Sequence, residues 1–520
     1  MNMKKLNKII KFPLFSMALM VLVSACDFEE INTPFTQVSD EEMNRDNMKS
    51  GAMLKNLQNW VVPTQNNAYQ MTENLLGDVY GRYMTASDDK FNIQNFAIYT
   101  ASEKWINWPF KNVMPNVYTN WNQIREITEG KGVIFAWAQL LRVASMQRLT
   151  DVYGPIPYSK VETGELKVAY DSQEEVYHNM FNDLDWAIDV LTSSAANSDN
   201  STMKDFDLVY GGDFTKWVKL ANSLKLRMAM RIRFVDPILA KEMAEEAISH
   251  PIGVITTNSD NASIESPVDG NPLYIMWKTY GDTRVCADIA SYMNGYKDPR
   301  REKYFQTATI NSTTGYLGLR AGANIKNTAW GEAYSAPVAE NTDRVMWMTA
   351  SEIAFLKAEG TLAGWNMGGS TVGDLYNEGI KLSFEQWGVS GADAYSNDAV
   401  SKQDKYVDPN NMYSTGAVST VTIKWEEEAD ETVKLERIMT QKWLALWPNG
   451  QEAWSEYRRT GYPVFFSVAQ NVSPNIVVAN RIPFCVDEYK NNAENMDAAL
   501  KVLNGADNYQ TRLWWDVYRK

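Results

Sequence analysis

The sequence predicts a mostly helical protein, on three observations. Apolar residues recur at three- and four-residue spacings over long segments, the period of one helix face. Strand-like patterns are sparse and short. Between the periodic segments lie long runs rich in Gly, Asn, Ser and Pro, the composition of loops. Helix pairs separated by such insertions suggest stacked αα-hairpins of tetratricopeptide type, although no strict repeat of about 34 residues is present.

The chain opens with Lys4, Lys5, Lys8 and Lys11, then an apolar run from Phe12 to Val23 and the small pair Ser24-Ala25. That is a secretory signal over residues 1–25, shorter than the ~20 apolar residues of a spanning helix. Val23-Ser24-Ala25-Cys26 resembles a bacterial lipobox, so Cys26 is the expected lipid attachment site. Each buried methylene contributes ~0.8 kcal/mol and two acyl chains suffice for stable anchoring, which predicts a permanent membrane attachment. Residues 26–40 read as a lipidated tether, and its Asp27, Glu29 and Glu30 resemble export signals that direct lipoproteins to the cell exterior. Residues 41–520 read as a single domain.

In "EEMNRDNMKSGAMLKNLQNWV", Met43, Asn47, Leu54, Leu57 and Val61 keep mixed helical spacings. "GVIFAWAQLLRVASMQRLTDVYGPIPY" predicts a long helix that stops at Gly154-Pro155. "WVKLANSLKLRMAMRIRF" carries one apolar stripe (Trp217, Leu220, Ala221, Leu224, Met228, Ile232), with Asp213 placed as its N-cap. Further helices are expected at 172–192, 236–249, 283–295, 349–364, 371–387 and 434–459. Strands are expected within 252–280 and in "STVTIKW" at 419–425. The longest irregular stretches fall near 86–108, 258–282, 305–345 and 390–432.

Composition suits a globular protein with a sizeable core, at 45% apolar and 22% charged residues. Removing residues 1–25 takes away four lysines and no acid, so the net charge moves from −14 to −18. So acidic a surface argues against nucleic acid and anionic lipid as partners. Beyond Cys26 only Cys286 and Cys485 occur, and two separate buried thiols are expected rather than a disulfide. The unusual feature is 18 Trp and 26 Tyr, rings that suit a core and equally a surface gripping sugars or a partner protein.

Catalytic material is thin. His178 and His250 are the sole histidines, and both read as structural or surface groups. There is no H-E-x-x-H, paired C-x-x-C or P-loop, so no metal, cofactor or catalytic residue is expected. Two carboxylates meeting in space could still form a glycosidase site, although Glu426-Glu427-Glu428 reads as a solvated charge run.

Seven stretches in order resemble the SusD/RagB family of outer-membrane nutrient-binding lipoproteins. They are the lipobox with "DFEEINTP", "LLRVASMQRLTDVYGPIPYS", "FTKWVKLANSLKLRMAMRI", "DPRREKYF", "VMWMTASEIAFLKAEG", "IMTQKWLALWPNGQEAWSEYRRTGYP" and "RIPFCVDEYKNN". The resemblance implies four tetratricopeptide-like helix pairs as scaffold, a ligand site on loops and no catalysis. It also implies a partner, a SusC-like TonB-dependent barrel in the outer membrane over which the protein sits as a lid. Phe484-Cys485 departs from the Tyr-Pro often found there and reads as a packing variation. Trp217, Asn222, Arg227, Trp443, Trp454 and Arg458 within these stretches are expected to fix helix packing.

Oligosaccharide binding needs aromatic faces and hydrogen-bonding side chains on exposed loops. Three stretches offer them. "FNIQNFAIYTASEKWINWPF" supplies Trp105 and Trp108 near Asn92, Asn95 and Asn107. "DGNPLYIMWKTYGDTR" supplies Tyr274, Trp277 and Tyr280 beside Asp282 and Arg284, and "NTAWGEAYS" adds Trp330 and Tyr334. The expected function is capture of oligosaccharides at the cell surface for delivery to the barrel. The alternatives are peptide capture, as in the RagB branch, and a surface-anchored glycoside hydrolase.

Overall fold

The computed structural model describes residues 47–161, 167–196, 201–470 and 477–518. The expected signal segment 1–25, Cys26 and the expected tether 26–40 lie outside the described residues. Gly51–Lys520 forms one compact unit, and of the other, Met1–Ser50, only the residues that open the first helix are described.

The long helices are α1 (Met48–Val61), α2 (Glu103–Thr128), α3 (Gly132–Tyr153), α4 (Gln173–Ala195), α5 (Phe214–Ile232), α6 (Pro237–Ser249), α7 (Ala350–Leu362), α8 (Val372–Gln386), α9 (Glu431–Ala445) and α10 (Gly450–Thr460). Each of α2 to α5 packs on the next, α5 also meets α7, and α7 packs on α8 and α9. The result is a mostly helical, tetratricopeptide-like scaffold. Its strands form three two-stranded antiparallel pairs: β1 (Met84–Ala86) with β3 (Thr283–Val285), β2 (Ala262–Ile264) with β6 (Val345–Met348), and β4 (Ala308–Ile310) with β5 (Thr313–Gly315).

Local chemistry sets the helix ends. Asp213 accepts from the Lys216 N–H at 3.2 Å and caps α5, whose stripe from Trp217 to Ile232 is buried. Ser172 and Glu175 close a capping box on α4, and α3 stops at Gly154, whose φ of 91° favours glycine. The family-motif side chains are packing devices. The Trp217, Trp443 and Trp454 indoles donate to Asp207, the Gly81 carbonyl and the Ala479 carbonyl, while Asn222 donates to the Gly253 carbonyl and Arg458 to those of Asp151 and Asn480. Cys286 and Cys485 are separate buried thiols, and Phe484 beside Cys485 is covered by the Arg481 guanidinium.

Several expectations are corrected. Helix α2 starts inside the stretch read as irregular and runs through Pro109 and Pro115. Proline removes a helical N–H and crowds the preceding turn, which hides this helix from the pattern. Tyr153 compensates from α3: its hydroxyl donates to the Ile106 carbonyl at 2.5 Å and accepts from the Phe110 N–H at 3.2 Å. Tyr153→Phe leaves both buried groups short of a partner, with an expected cost of about 1–3 kcal/mol. A lowered urea midpoint with unchanged slope would agree, and an unchanged midpoint would not.

The single helix expected at 434–459 is two, because Pro448 cannot continue α9 and Asn449 caps α10. The helix expected from 283 begins at Ala287, its first residues forming β3. Within 252–280 only Ala262–Ile264 is strand, and 419–425 holds none. There the carbonyls of Val421, Thr422 and Ile423 accept instead from Tyr296, Arg437 and Tyr376.

A buried ionic network joins five helices. On α5, Arg227 clamps Glu352 of α7 at 2.6 and 2.7 Å, and Arg231 clamps Glu452 of α10 at 2.7 Å twice. Arg231 also reaches Asp151 of α3 at 3.0 Å and pairs with Glu456. Glu456 further meets Lys442 of α9 at 2.8 Å and Arg459 at 2.7 Å, and Arg459 grips Glu359 of α7. Burial pushes the Glu456 carboxyl up, but Arg459, Lys442 and Arg231 outweigh it and hold it well below 4.5. A depressed carboxyl adds stability above its unfolded pKa and loses it as pH falls through the folded one. The advantage of the wild type over Glu456→Gln is therefore expected in full at neutral pH and to shrink as pH drops below 4.5. Urea midpoints of both proteins along a pH series test this, and a constant difference would contradict it.

Candidate ligand site on the loops

The site is built on two three-residue strands, β1 and β3. Pairing of Met84, Thr85 and Ala86 with Val285, Arg284 and Thr283 sets the loop that leaves β1 beside the turn that enters β3. The Ser87 N–H donates to the Asp282 carbonyl at 3.0 Å and its hydroxyl to that of Gly281 at 2.9 Å. A third loop is knitted in from the other side. Asn92 exchanges two 2.8 Å bonds with the backbone of Ile325, Thr328 donates to Asp89 at 3.2 Å, and Arg284 donates to the Glu332 carbonyl at 3.1 Å. All three aromatic stretches therefore meet around β1 and β3.

Trp105 lies in the first turn of α2, half-buried against Phe91 and Phe96 at ring separations of 5.7 Å. Trp108, one turn on, is half-buried over Met71, Leu75 and Ala86. Tyr274 and Trp277 sit on a short helix that passes into a π-helical turn (Pro272–Tyr274, Ile275–Thr279), edge to face at 5.9 Å. Tyr280 follows and is exposed. Trp330 stands on the single turn Thr328–Glu332, half-buried. The buried indole N–H groups of Trp277 and Trp330 have no hydrogen-bond partner among the described residues.

Tyr334 is a correction. It is 2% exposed, donates to Asp408 at 2.7 Å and accepts from Asn410, so it backs Trp330 at 5.3 Å and offers no free face. The polar neighbours named from sequence are mostly structural too. Asn95 caps a 3₁₀ turn, Asn107 is buried and accepts from the Val486 N–H, and Arg284 is buried within β3.

Asp282, named from sequence only as a neighbour of the rings, lies at the centre. It is 2% exposed, accepts from Lys90 at 2.5 Å and from Gln70, and burial raises its pKa against the pull of Lys90. Asp89, Lys90, Lys278, Asn327 and Glu332 form an exposed polar rim. Rings with open faces plus such groups can stack on the apolar side of a sugar and bond its hydroxyls. No group of three metal-ligating side chains occurs among the described residues. His178 lies 3.7 Å from Asp236, and His250 ends α6 and accepts from the Ile252 N–H.

A helical stack with rings and polar groups gathered on loops, short helical turns and the start of α2 defines a scaffold protein with a candidate ligand face. The chain belongs to the SusD/RagB family of outer-membrane lipoproteins, whose model matches residues 30–516. A SusD homologue from Bacteroides thetaiotaomicron is 39% identical, with a TM-score of 0.86 over 91% of this chain and 99% of that one. One from Bacteroides uniformis gives the same four values. A chitin-binding SusD homologue from Flavobacterium johnsoniae is 38% identical, with a TM-score of 0.85 over 90% of this chain and 99% of that one. Comparison with curated protein sequences found no match.

Proposed function

We propose that this chain is a cell-surface glycan-binding lipoprotein that captures oligosaccharides and hands them to a SusC-like TonB-dependent transporter, without catalysis. The observation that carries the reading is the gathering of Trp105, Trp108, Tyr274, Trp277, Tyr280 and Trp330 around β1 and β3, each with an exposed or half-buried ring. Chitin binding by a relative of 38% identity supports a sugar ligand. One ring contributes little, by analogy with the ~0.5–1.5 kcal/mol of an aromatic pair. Several rings on each of many proteins meeting one polymer multiply that gain. In this reading residues 1–25 are the signal, Cys26 carries the lipid, 26–40 span to the domain at 41–520, and the ligand face looks outward from the cell.

The test is electrophoresis of the purified protein through gels that contain single polysaccharides, chitin derivatives first, with a peptide library as comparison. Retardation by one glycan is expected. Binding to peptides alone would replace the sugar reading with peptide capture and leave the fold untouched.

A further inference from the structure

Behind the Tyr274–Trp277 turn lies a cavity of about 280 Å³, walled by the indoles of Trp387 and Trp447 and by apolar side chains including Val62, Leu273 and Ala339. It opens between β2, β6, the ends of α1 and α8 and the α9–α10 turn, and none of the six open rings of the loop face lines it. Its volume is near the lower end of small-molecule sites, about 300–1,000 Å³. That is room for one ring, not for a chain.

Polar groups without partners line this space. Tyr69 is 4% exposed and Trp447 is 2% exposed, yet neither the Tyr69 hydroxyl nor the Trp447 indole N–H has a hydrogen-bond partner among the described residues. On the same wall, Trp387 Nε1 and Gln386 Oε1 are buried and have no partner among the described residues. Burial, with Asp78 and Glu73 beside it, raises the Tyr69 hydroxyl far above its ordinary pKa and keeps it a donor. The Tyr69 hydroxyl and Trp447 N–H keep accessible surface on the cavity and are free to bond a guest. The lining charges are engaged within the protein: Glu73 pairs with Arg148 at 2.6 Å, Arg344 with Glu265 at 3.4 Å, and Asp343 accepts from the Glu340 N–H at 2.8 Å.

We infer that this cavity is a second binding site, which takes one neutral, polyhydroxylated ring of monosaccharide size. The half-buried Trp387 indole offers an apolar face, the Tyr69 hydroxyl and Trp447 N–H bond ring hydroxyls, and lining charges already engaged within the protein disfavour an ionic ligand. The inference does not rest on the loop site.

Calorimetry with glucose, galactose, xylose and N-acetylglucosamine tests it on the purified protein. One of these sugars is expected to bind one to one and to raise the melting temperature. Tyr69→Phe removes one oxygen that bonds nothing among the described residues, so it is expected to keep its unfolding midpoint and its retardation by polysaccharide. Its affinity for the single sugar should fall about three- to ten-fold. Ala339→Met fills the cavity and should abolish that binding; should this variant fail to fold, Tyr69→Phe alone decides. Failure of all four sugars to bind, binding that survives both variants, or binding abolished by Trp277→Ala would overturn the second site. The last outcome would move the sugar to the loops, so the two sites fail separately.

Discussion

Arg231→Ala is expected to destabilise the protein by about 3–5 kcal/mol, the cost of breaking a buried ion pair from one side. Arg231 is fully buried and its guanidinium meets three carboxylates, Asp151, Glu452 and Glu456, on two other helices. Removing it leaves Asp151 with no other ion-pair partner among the described residues, and its pKa is already raised by burial despite Arg231. Glu456 retains Lys442 and Arg459, which bounds the damage. A well-packed apolar replacement for the whole network could be neutral; a single truncation cannot, because the carboxylates stay. Urea unfolding of the variant should show a much lower midpoint. A midpoint within about 0.5 kcal/mol of wild type, the range of ordinary surface changes, would mean the network is not a fixed part of the native state.

The second large effect is on binding. The double variant Trp277→Ala/Tyr280→Ala is expected to lose retardation by the cognate glycan while its unfolding midpoint barely moves. These residues are the right ones to remove. Tyr280 is exposed, and Trp277 is half-buried at the edge of the core with an unpartnered indole N–H, so their removal leaves the helical scaffold intact. Trp105→Ala is a worse probe, since that ring also packs on Phe91 and Phe96. Two rings at ~0.5–1.5 kcal/mol each change a single contact by about five- to 150-fold, enough to clear a gel. Full retardation in a folded double variant would move the ligand off this face.

The scaffold was legible because its signals are local. Asp213 before a clean stripe names both the start and the buried face of α5, and Gly154-Pro155 names the end of α3. Helix α2 was hidden because Pro109 and Pro115 contradict its local pattern, and the repair comes from Tyr153 on another helix. The ionic network left a partial trace. Arg227 and Arg231, like Glu452 and Glu456, stand four apart and so share a helix face, but nothing local says that the two pairs meet.

The site divides in the same way. Its aromatic stretches were legible one by one as ring-rich segments. Their meeting was not, because it depends on two three-residue strands and on Asn92 reaching Ile325. Asp282 was noticed only as a neighbour, since its weight comes from burial beside Lys90 and Gln70. Tyr334 was misread because a ring in a loop looks the same in sequence whether its hydroxyl faces solvent or a buried Asp408.

The central claim is capture without chemistry on the loop face. Its most direct test is calorimetry of the purified protein with an oligosaccharide of the retarding glycan, followed by mass spectrometry of the recovered sugar. Saturable binding, weakened in the Trp277→Ala/Tyr280→Ala variant, with the oligosaccharide recovered at its original length, is the predicted result. Shortened products would make the protein a hydrolase, and no binding by any oligosaccharide would remove glycan capture from its function.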